Sequence, residues 1–180
     1  MRDDASVSSV SLDTPLATLL PSFSILSNGW TSRAPITLKT LASHTAGLPR
    51  ETPFPCGDFS WGQSGCTEED ILATLALKAA ISAPHSRFHY SNLGLALLGR
   101  ALSHAVPLPP GVNRSLAYEH LMEKRILSPL GMINATFAFN NATAAKIAVG
   151  AHTNGEEVVI TPGPTCGFGA PAGCLWASGT

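Results

Sequence analysis

Phe88-His89-Tyr90-Ser91-Asn92 leads without a break into Leu93-Gly94-Leu95-Ala96-Leu97-Leu98-Gly99, and Arg100 follows. The apolar run is too short to cross a bilayer, which takes about 20 such residues, and the arginine ends it. Leu93, Leu97, Leu98, Ala101 and Leu102 recur at helical spacing. They predict a core helix buried nearly all round, with its N-terminus presenting Tyr90 and Asn92 to a cleft. Gly94 and Gly99 would each weaken such a helix by about 1 kcal/mol against alanine, so they point to a neighbouring element that approaches closely. Asn92 is also a good N-cap, and on spacing alone Tyr-Ser-Asn reads as helix punctuation.

On the N-terminal side, Asp13 is placed to cap a short helix over 15–20, with Pro15 near its first turn and Pro21 as its stop. Thr37 caps a brief helix through Ser43, closed by Gly47, and residues 49–65 form a long loop. Thr67-Glu68-Glu69-Asp70 opens another helix, running to about Ala80, with acidic residues where the macrodipole favours them. Beyond His104, Pro107-Leu108-Pro109-Pro110-Gly111 is a stiff linker. Ser115 is expected to cap a helix to about Leu127, with Leu121, Met122 and Ile126 in the core and Pro129 as its end. Residues 137–139, 146–149 and 158–161 read as short strands between Asn/Gly/Pro turns. Helix therefore dominates before residue 130 and short strands after it, and no internal repeat is visible.

The length, 180 residues, suits one domain with a real core. Charged residues make up 13%, hydrophobic ones 44%, and the formal net charge is −1. No basic surplus points to nucleic acid. So few charges suit a surface covered by glycans or buried in a larger body. Cys56 and Cys66 form one local pair, Cys166 and Cys174 another, each in a Gly/Pro-rich loop. A zinc site would need tighter C-x₂-C spacing, so two disulfides, Cys56–Cys66 and Cys166–Cys174, fit better. Three sequons, at Asn113, Asn134 and Asn141, agree with an oxidising secretory route and an extracellular protein. Met1-Arg2-Asp3-Asp4-Ala5-Ser6 carries no apolar signal region. Secretory marks without a secretory address lead to the expectation that the chain is a fragment.

Tyr90-Ser91-Asn92 before an apolar helix resembles the Tyr-x-Asn element of serine β-lactamases of the class C type and of their penicillin-binding-protein and esterase relatives. Ile36-Thr37-Leu38-Lys39-Thr40-Leu41-Ala42-Ser43-His44-Thr45-Ala46-Gly47-Leu48, Pro129-Leu130-Gly131-Met132 and Pro171-Ala172-Gly173-Cys174-Leu175-Trp176 resemble further stretches of that family, in the same order. Ser11-Leu12-Asp13-Thr14-Pro15 resembles the connector after the helix that carries the family's nucleophile. The resemblance implies an α+β fold of the β-lactamase/transpeptidase type, of which residues 1–180 would keep mainly the helical region with short strands near the C-terminus.

It also implies acyl transfer through a Ser-x-x-Lys pair on one helix face. The residues three before Lys39, Lys78, Lys124 and Lys146 are Ile36, Leu75, Leu121 and Thr143, so no such pair is present. Thr143, the one hydroxyl among them, belongs to a sequon in an expected loop. His152-Thr153-Asn154 imitates the family's Lys/His-Thr-Gly strand, but it has asparagine for the glycine and precedes Pro171-Ala172-Gly173 instead of following it. Both ends of the catalytic domain are therefore expected to be missing.

Other hydrolase signatures fail. Gly62-Gln63-Ser64-Gly65 lacks the G-x-S-x-G spacing. His85 and His89 are four apart, but Pro84 argues against a helix and no H-E-x-x-H exists. Ser43 and His44 are expected on different sides of a short helix, with His44 a hydrogen-bonded structural residue at its end. By resemblance, Tyr90 and Asn92 are the candidate catalytic residues. Tyr90 would act with a lysine as general base and acid on a serine, and Asn92 would hydrogen-bond the lysine or the substrate amide. No cofactor or metal is expected, and the implied partner is a small-molecule or peptide substrate, a β-lactam, peptide or ester. The alternative is a non-catalytic secreted glycoprotein that keeps the fold for binding.

Overall fold

Ser91 starts the central helix, α4 (Asn92–His104), by accepting the Gly94 N–H on its side-chain oxygen at 2.8 Å. Ser91, not Asn92, is therefore the N-cap, and Asn92 is freed to turn its amide elsewhere. Leu93, Ala96, Leu97 and Ala101 of α4 are wholly buried, and Gly94, Gly99, Arg100 and Ser103 are buried with them. This is the nearly all-round burial that the leucine spacing requires. The computed structural model describes residues 10–26, 28–29, 34–53, 56, 66–138, 140–158 and 166–178.

Around α4 stand α1 (Leu16–Leu19), α2 (Leu38–Ala42), α5 (Ala117–Met122) and a 3₁₀ segment, Gly167–Ala172, all packed directly against it. α3 (Glu68–Ala76) adds Ile71, Leu72 and Leu75 to the same core, which also holds Leu16, Leu20, Leu41, Leu48 and Cys56. Thr37 and Thr67 each form a capping box, with Thr40 and Asp70 respectively. This is the reciprocal arrangement that satisfies two orphan backbone donors at a helix start. α6 (Asn141–Ala144) and an antiparallel pair, β1 (Gly150–Ala151) with β2 (Glu157–Val158), complete the described chain. A helical body with short strands confined to the C-terminal part matches the α+β expectation. No helix among the described residues is long and apolar enough to cross a membrane.

Pro171 lies so close to Gly99 that a Cβ on the glycine would fall inside its ring. Here the close approach anticipated from the two helix glycines is met by the Pro171-Ala172-Gly173 stretch. Gly99→Ala is accordingly expected to lower stability by about 1–3 kcal/mol through overpacking, read as a fall in the thermal midpoint. A midpoint unchanged by the substitution would mean that the two segments do not touch.

Arg100, read in the sequence as the polar end of an apolar run, is 2% exposed. Its guanidinium donates to the carbonyls of Ser115, at 2.8 Å, and Gly167. Its carbon lies 5.6 Å from the centre of the Phe168 ring. Glu68 is 4.0 Å from its Nε and holds His104 at 2.9 Å. Glu119 is also near, with both carboxylate oxygens shut from solvent and without hydrogen-bond partners among the described residues. Burial pushes its carboxyl up, and the Arg100 charge pulls it part of the way back. One arginine thus joins α4 to the α5 region and to the 3₁₀ segment.

Both expected disulfides, Cys56–Cys66 and Cys166–Cys174, are formed. Asn113, Asn134 and Asn141 are exposed, and Asn113 Oδ1 accepts the Ser115 N–H at 3.0 Å. It is thus Asn113, not Ser115, that caps the start of this region, as a 3₁₀ turn (Arg114–Leu116) ahead of α5. α5 gives way to a π turn, Glu123–Leu127, in which Ser128 N–H reaches back to Glu123 C=O at 2.9 Å. That extra residue per turn rotates the buried face. Ala117 and Leu127 are buried, while Ile126 is 42% exposed and Leu121 and Met122 are only half-buried.

α1 is capped by no side chain, so Asp13 does not serve there, and α3 stops at Ala76, short of Ala80. Residues 137–138 and 146–149 do not form the expected strands. Thr136 makes an isolated bridge to Trp176, and the hairpin begins at Gly150. Phe139, residues 159–161 and Gly62-Gln63-Ser64-Gly65 lie outside the described residues.

Candidate active site

The segment 44–47 runs beside 81–89. Ile81 N–H donates to Gly47 C=O at 2.8 Å, His85 N–H to Thr45 C=O at 2.9 Å, and His89 N–H to His44 C=O at 2.7 Å. Gly47, at φ 74°, packs directly on the Ser82 carbonyl, where any side chain would collide. His44 itself has φ 56°, an uncommon region for a residue with a side chain. Its strain is held by two contacts: its carbonyl accepts His89, and its Nδ1 accepts the Ser91 N–H at 3.1 Å. The same ring lies 4.6 Å from the Tyr90 ring and edge-on to Phe88 at 5.6 Å. His44 is therefore the structural residue at a helix end that the sequence suggests, and it also fixes the plane of Tyr90.

Tyr90 remains 44% exposed, one residue before the α4 N-cap. The Arg50 guanidinium lies 5.7 Å from the centre of its ring. Asn92, half-buried in the first turn of α4, donates its side-chain amide to Glu51 Oε1 at 2.7 Å. Arg50 Nε donates to the same oxygen at 3.1 Å. Two further bonds lock residues 49–51 to the helix start: Ser91 Oγ donates to Pro49 C=O at 2.7 Å, and Leu93 N–H to Arg50 C=O at 3.1 Å. Tyr90 and Asn92 are thus brought to one helix end, beside a carboxylate and a guanidinium. Sequence reasoning missed Glu51 and Arg50. They follow Leu48-Pro49 in an expected loop, and no local spacing ties them to a motif some forty residues on.

The other candidates do not join this group. Thr143 lies in α6, not in a loop, and its hydroxyl donates to Ala138 C=O at 2.9 Å. His152-Thr153-Asn154 forms the exposed turn of the β1–β2 hairpin, closed by Gly155 N–H on His152 C=O. His85 is exposed, at φ 65°. No set of three or more metal-ligating side chains gathers among the described residues. A cavity of about 150 Å³ lined by Tyr118, Met122, Phe137, Pro171 and Leu175 has an apolar wall with Tyr118 as its one titratable side chain.

The sequence model of the Beta-lactamase family matches residues 8–180. The chain is similar to Beta-lactamase-like protein 2 of Dictyostelium discoideum, with 35% identity over 181 aligned residues, covering 99% of this chain and 30% of that protein. It is similar to the D-alanyl-D-alanine-carboxypeptidase/endopeptidase AmpH of Escherichia coli (strain K12), with 40% identity over 109 residues, 57% of this chain and 24% of that one. Among solved structures, a beta-lactamase/D-alanine carboxypeptidase from Yersinia pestis superposes with a TM-score of 0.64 at 28% identity, over 98% of this chain and 44% of that one. The chain therefore spans about a quarter to a third of the curated relatives it matches.

Proposed function

This chain is a member of the β-lactamase family with that family's fold, and from that premise we propose that it is one part of a longer secreted serine hydrolase that works through an acyl-serine. Tyr90 and Asn92 are the catalytic residues it contributes. The observation that carries this reading is the place of Tyr90: half-exposed, its ring set against His44, directly before the N-terminus of α4. A phenol titrates near pH 10 and serves as a base near neutrality only beside positive charge. In this reading the lysine of a Ser-x-x-Lys pair is the group that supplies that charge.

In the proposed cycle the phenolate takes the serine proton as the serine oxygen bonds to the substrate carbonyl carbon. It returns the proton to the leaving nitrogen or oxygen as that bond breaks. Water then hydrolyses the serine ester, and no cofactor enters the balance. The exposed sequons at Asn113, Asn134 and Asn141 and the two disulfides support passage through an oxidising compartment and glycosylation of the surface.

The test compares the 180-residue chain with a chimaera that completes it with flanking segments of a β-lactamase-family hydrolase chosen to carry a Ser-x-x-Lys pair. Nitrocefin, p-nitrophenyl acetate and a D-alanyl-D-alanine peptide cover the three substrate classes. The chain alone is expected to show no turnover above buffer and no acyl adduct by mass spectrometry, while the chimaera turns over at least one substrate. A β-lactam adduct on any serine of the chain alone, or a folded but inert chimaera, would refute the reading.

A further inference from the structure

Asn92 cannot present its amide either way round. Glu51 Oε1, 2.7 Å from Asn92 Nδ2, is a carboxylate oxygen and only accepts, so the nitrogen must face it and the amide oxygen is left for the site. The second carboxylate oxygen, Oε2, is shut from solvent and has no hydrogen-bond partner among the described residues. The groups gathered at the start of α4 are therefore two acceptors and the face of an aromatic ring. That set already holds one cation, the Arg50 guanidinium, bonded to Glu51 at 3.1 Å and placed over the Tyr90 ring at 5.7 Å. Arg50 is a loose tenant, with its side chain 69% exposed.

We propose that Glu51 is the positioning residue of this site and that, by fixing the Asn92 amide and supplying the negative charge, it makes the site selective for an alkylammonium group. By itself the positive end of α4 would repel a cation. The Glu51 carboxylate reverses that sign, and a charged donor on a carboxylate makes a shorter, stronger bond than a neutral one. The ammonium has two possible sources: the lysine side chain of a Ser-x-x-Lys pair, or a free amine on the substrate. The inference rests on the reading of Tyr90 and Asn92 given above, but its first test does not.

In the 180-residue chain, ethylammonium chloride and the neutral isostere propionamide would be titrated against the Asn92 side-chain amide and Tyr90 ring resonances. Ethylammonium is expected to bind and propionamide not to. Glu51→Gln, which keeps the shape and removes the charge, is expected to weaken ethylammonium by about tenfold, the scale of one charge-assisted hydrogen bond. Equal binding of the two probes, or ethylammonium binding untouched by Glu51→Gln, overturns the proposal. Should Glu51→Gln fail to fold, Glu51→Asp keeps the charge and must keep the preference for ammonium over amide, and its loss in that variant is equally fatal.

In the chimaera, the p-nitrophenyl esters of alanine and of N-acetylalanine separate the sources. A rate loss in Glu51→Gln confined to the free-amine ester assigns the ammonium to the substrate, and an equal loss on both assigns it to the lysine. No loss on either ester removes Glu51 from the site. An inert chimaera whose chain still prefers ethylammonium would refute the hydrolase reading and leave this one standing.

Discussion

Tyr90→Phe in the chimaera is expected to lower kcat/KM by about 10²–10⁴, the usual scale of general acid–base catalysis, with the thermal midpoint almost unmoved. The separation of the two effects follows from the geometry. Phenylalanine keeps the ring that stacks on His44 and lies under Arg50, so the contacts that order residues 44–50 survive. What disappears is one oxygen on a half-exposed side chain. The measurement is kcat/KM and thermal midpoint for both proteins side by side. A rate within about threefold of the unchanged protein removes Tyr90 from the mechanism, since no proton-transfer role is that small. A lower midpoint with an unchanged rate would make it helix punctuation.

Arg100→Met should be the most damaging single change to the fold, at about 3–5 kcal/mol, the cost of breaking a buried charge arrangement by removing one partner. Methionine fills much of the volume but abandons the Ser115 and Gly167 carbonyls and strips Glu119 of its nearest positive charge. The loss depends on pH in a definite direction. Burial already holds the Glu119 carboxyl above its ordinary value near 4.5, so the folded chain binds that proton more tightly than the unfolded one. Stability from this group is greatest at low pH and falls as pH rises from that ordinary value through the raised one. Without Arg100 the carboxyl rises further and the fall is deeper. The deficit of the variant, from denaturant unfolding, is therefore expected to be larger at about pH 7 than at about pH 4. An equal deficit at both would show that the arginine acts through its packing and its two carbonyl bonds and not through Glu119.

The legible parts of the sequence are those whose signal is local. Thr37 and Thr67 announce their helices because a capping box occupies four consecutive positions. The leucine spacing of α4 announces burial for the same reason, and the two cysteine pairs lie within ten residues of one another. Tyr90 and Asn92 stand out only by resemblance to a motif, since the residues alone suit a helix cap as well. Ser91 and Asn92 are both good caps, and what decides between them is a contact some forty positions away, the Glu51 carboxylate that turns Asn92 aside. Arg100 misleads for a related reason. An arginine after an apolar run reads as its exposed end until two carbonyls, one of them 67 residues further on, are found to receive it. The C-terminal strands are not legible because segments so short and exposed have no buried face to set a period.

The bridge between Thr136 and Trp176 bears on how this chain can change length. It ties the two ends of an excursion that holds α6 and the hairpin, and a second tie lies just inside it, where Pro171 rests on Gly99. Once its ends are pinned, an excursion of this kind contributes to the unfolded ensemble mainly through closure entropy, which grows with the logarithm of its length. Doubling it would cost only about 0.6 kcal/mol. Insertions and deletions in the α6–hairpin part of that excursion are thus nearly free, whereas a single residue added between His89 and Ser91 would throw the Tyr90 ring off its partners. The chain has one region that evolution can lengthen at will and another whose length is fixed by a ring stacked on a ring.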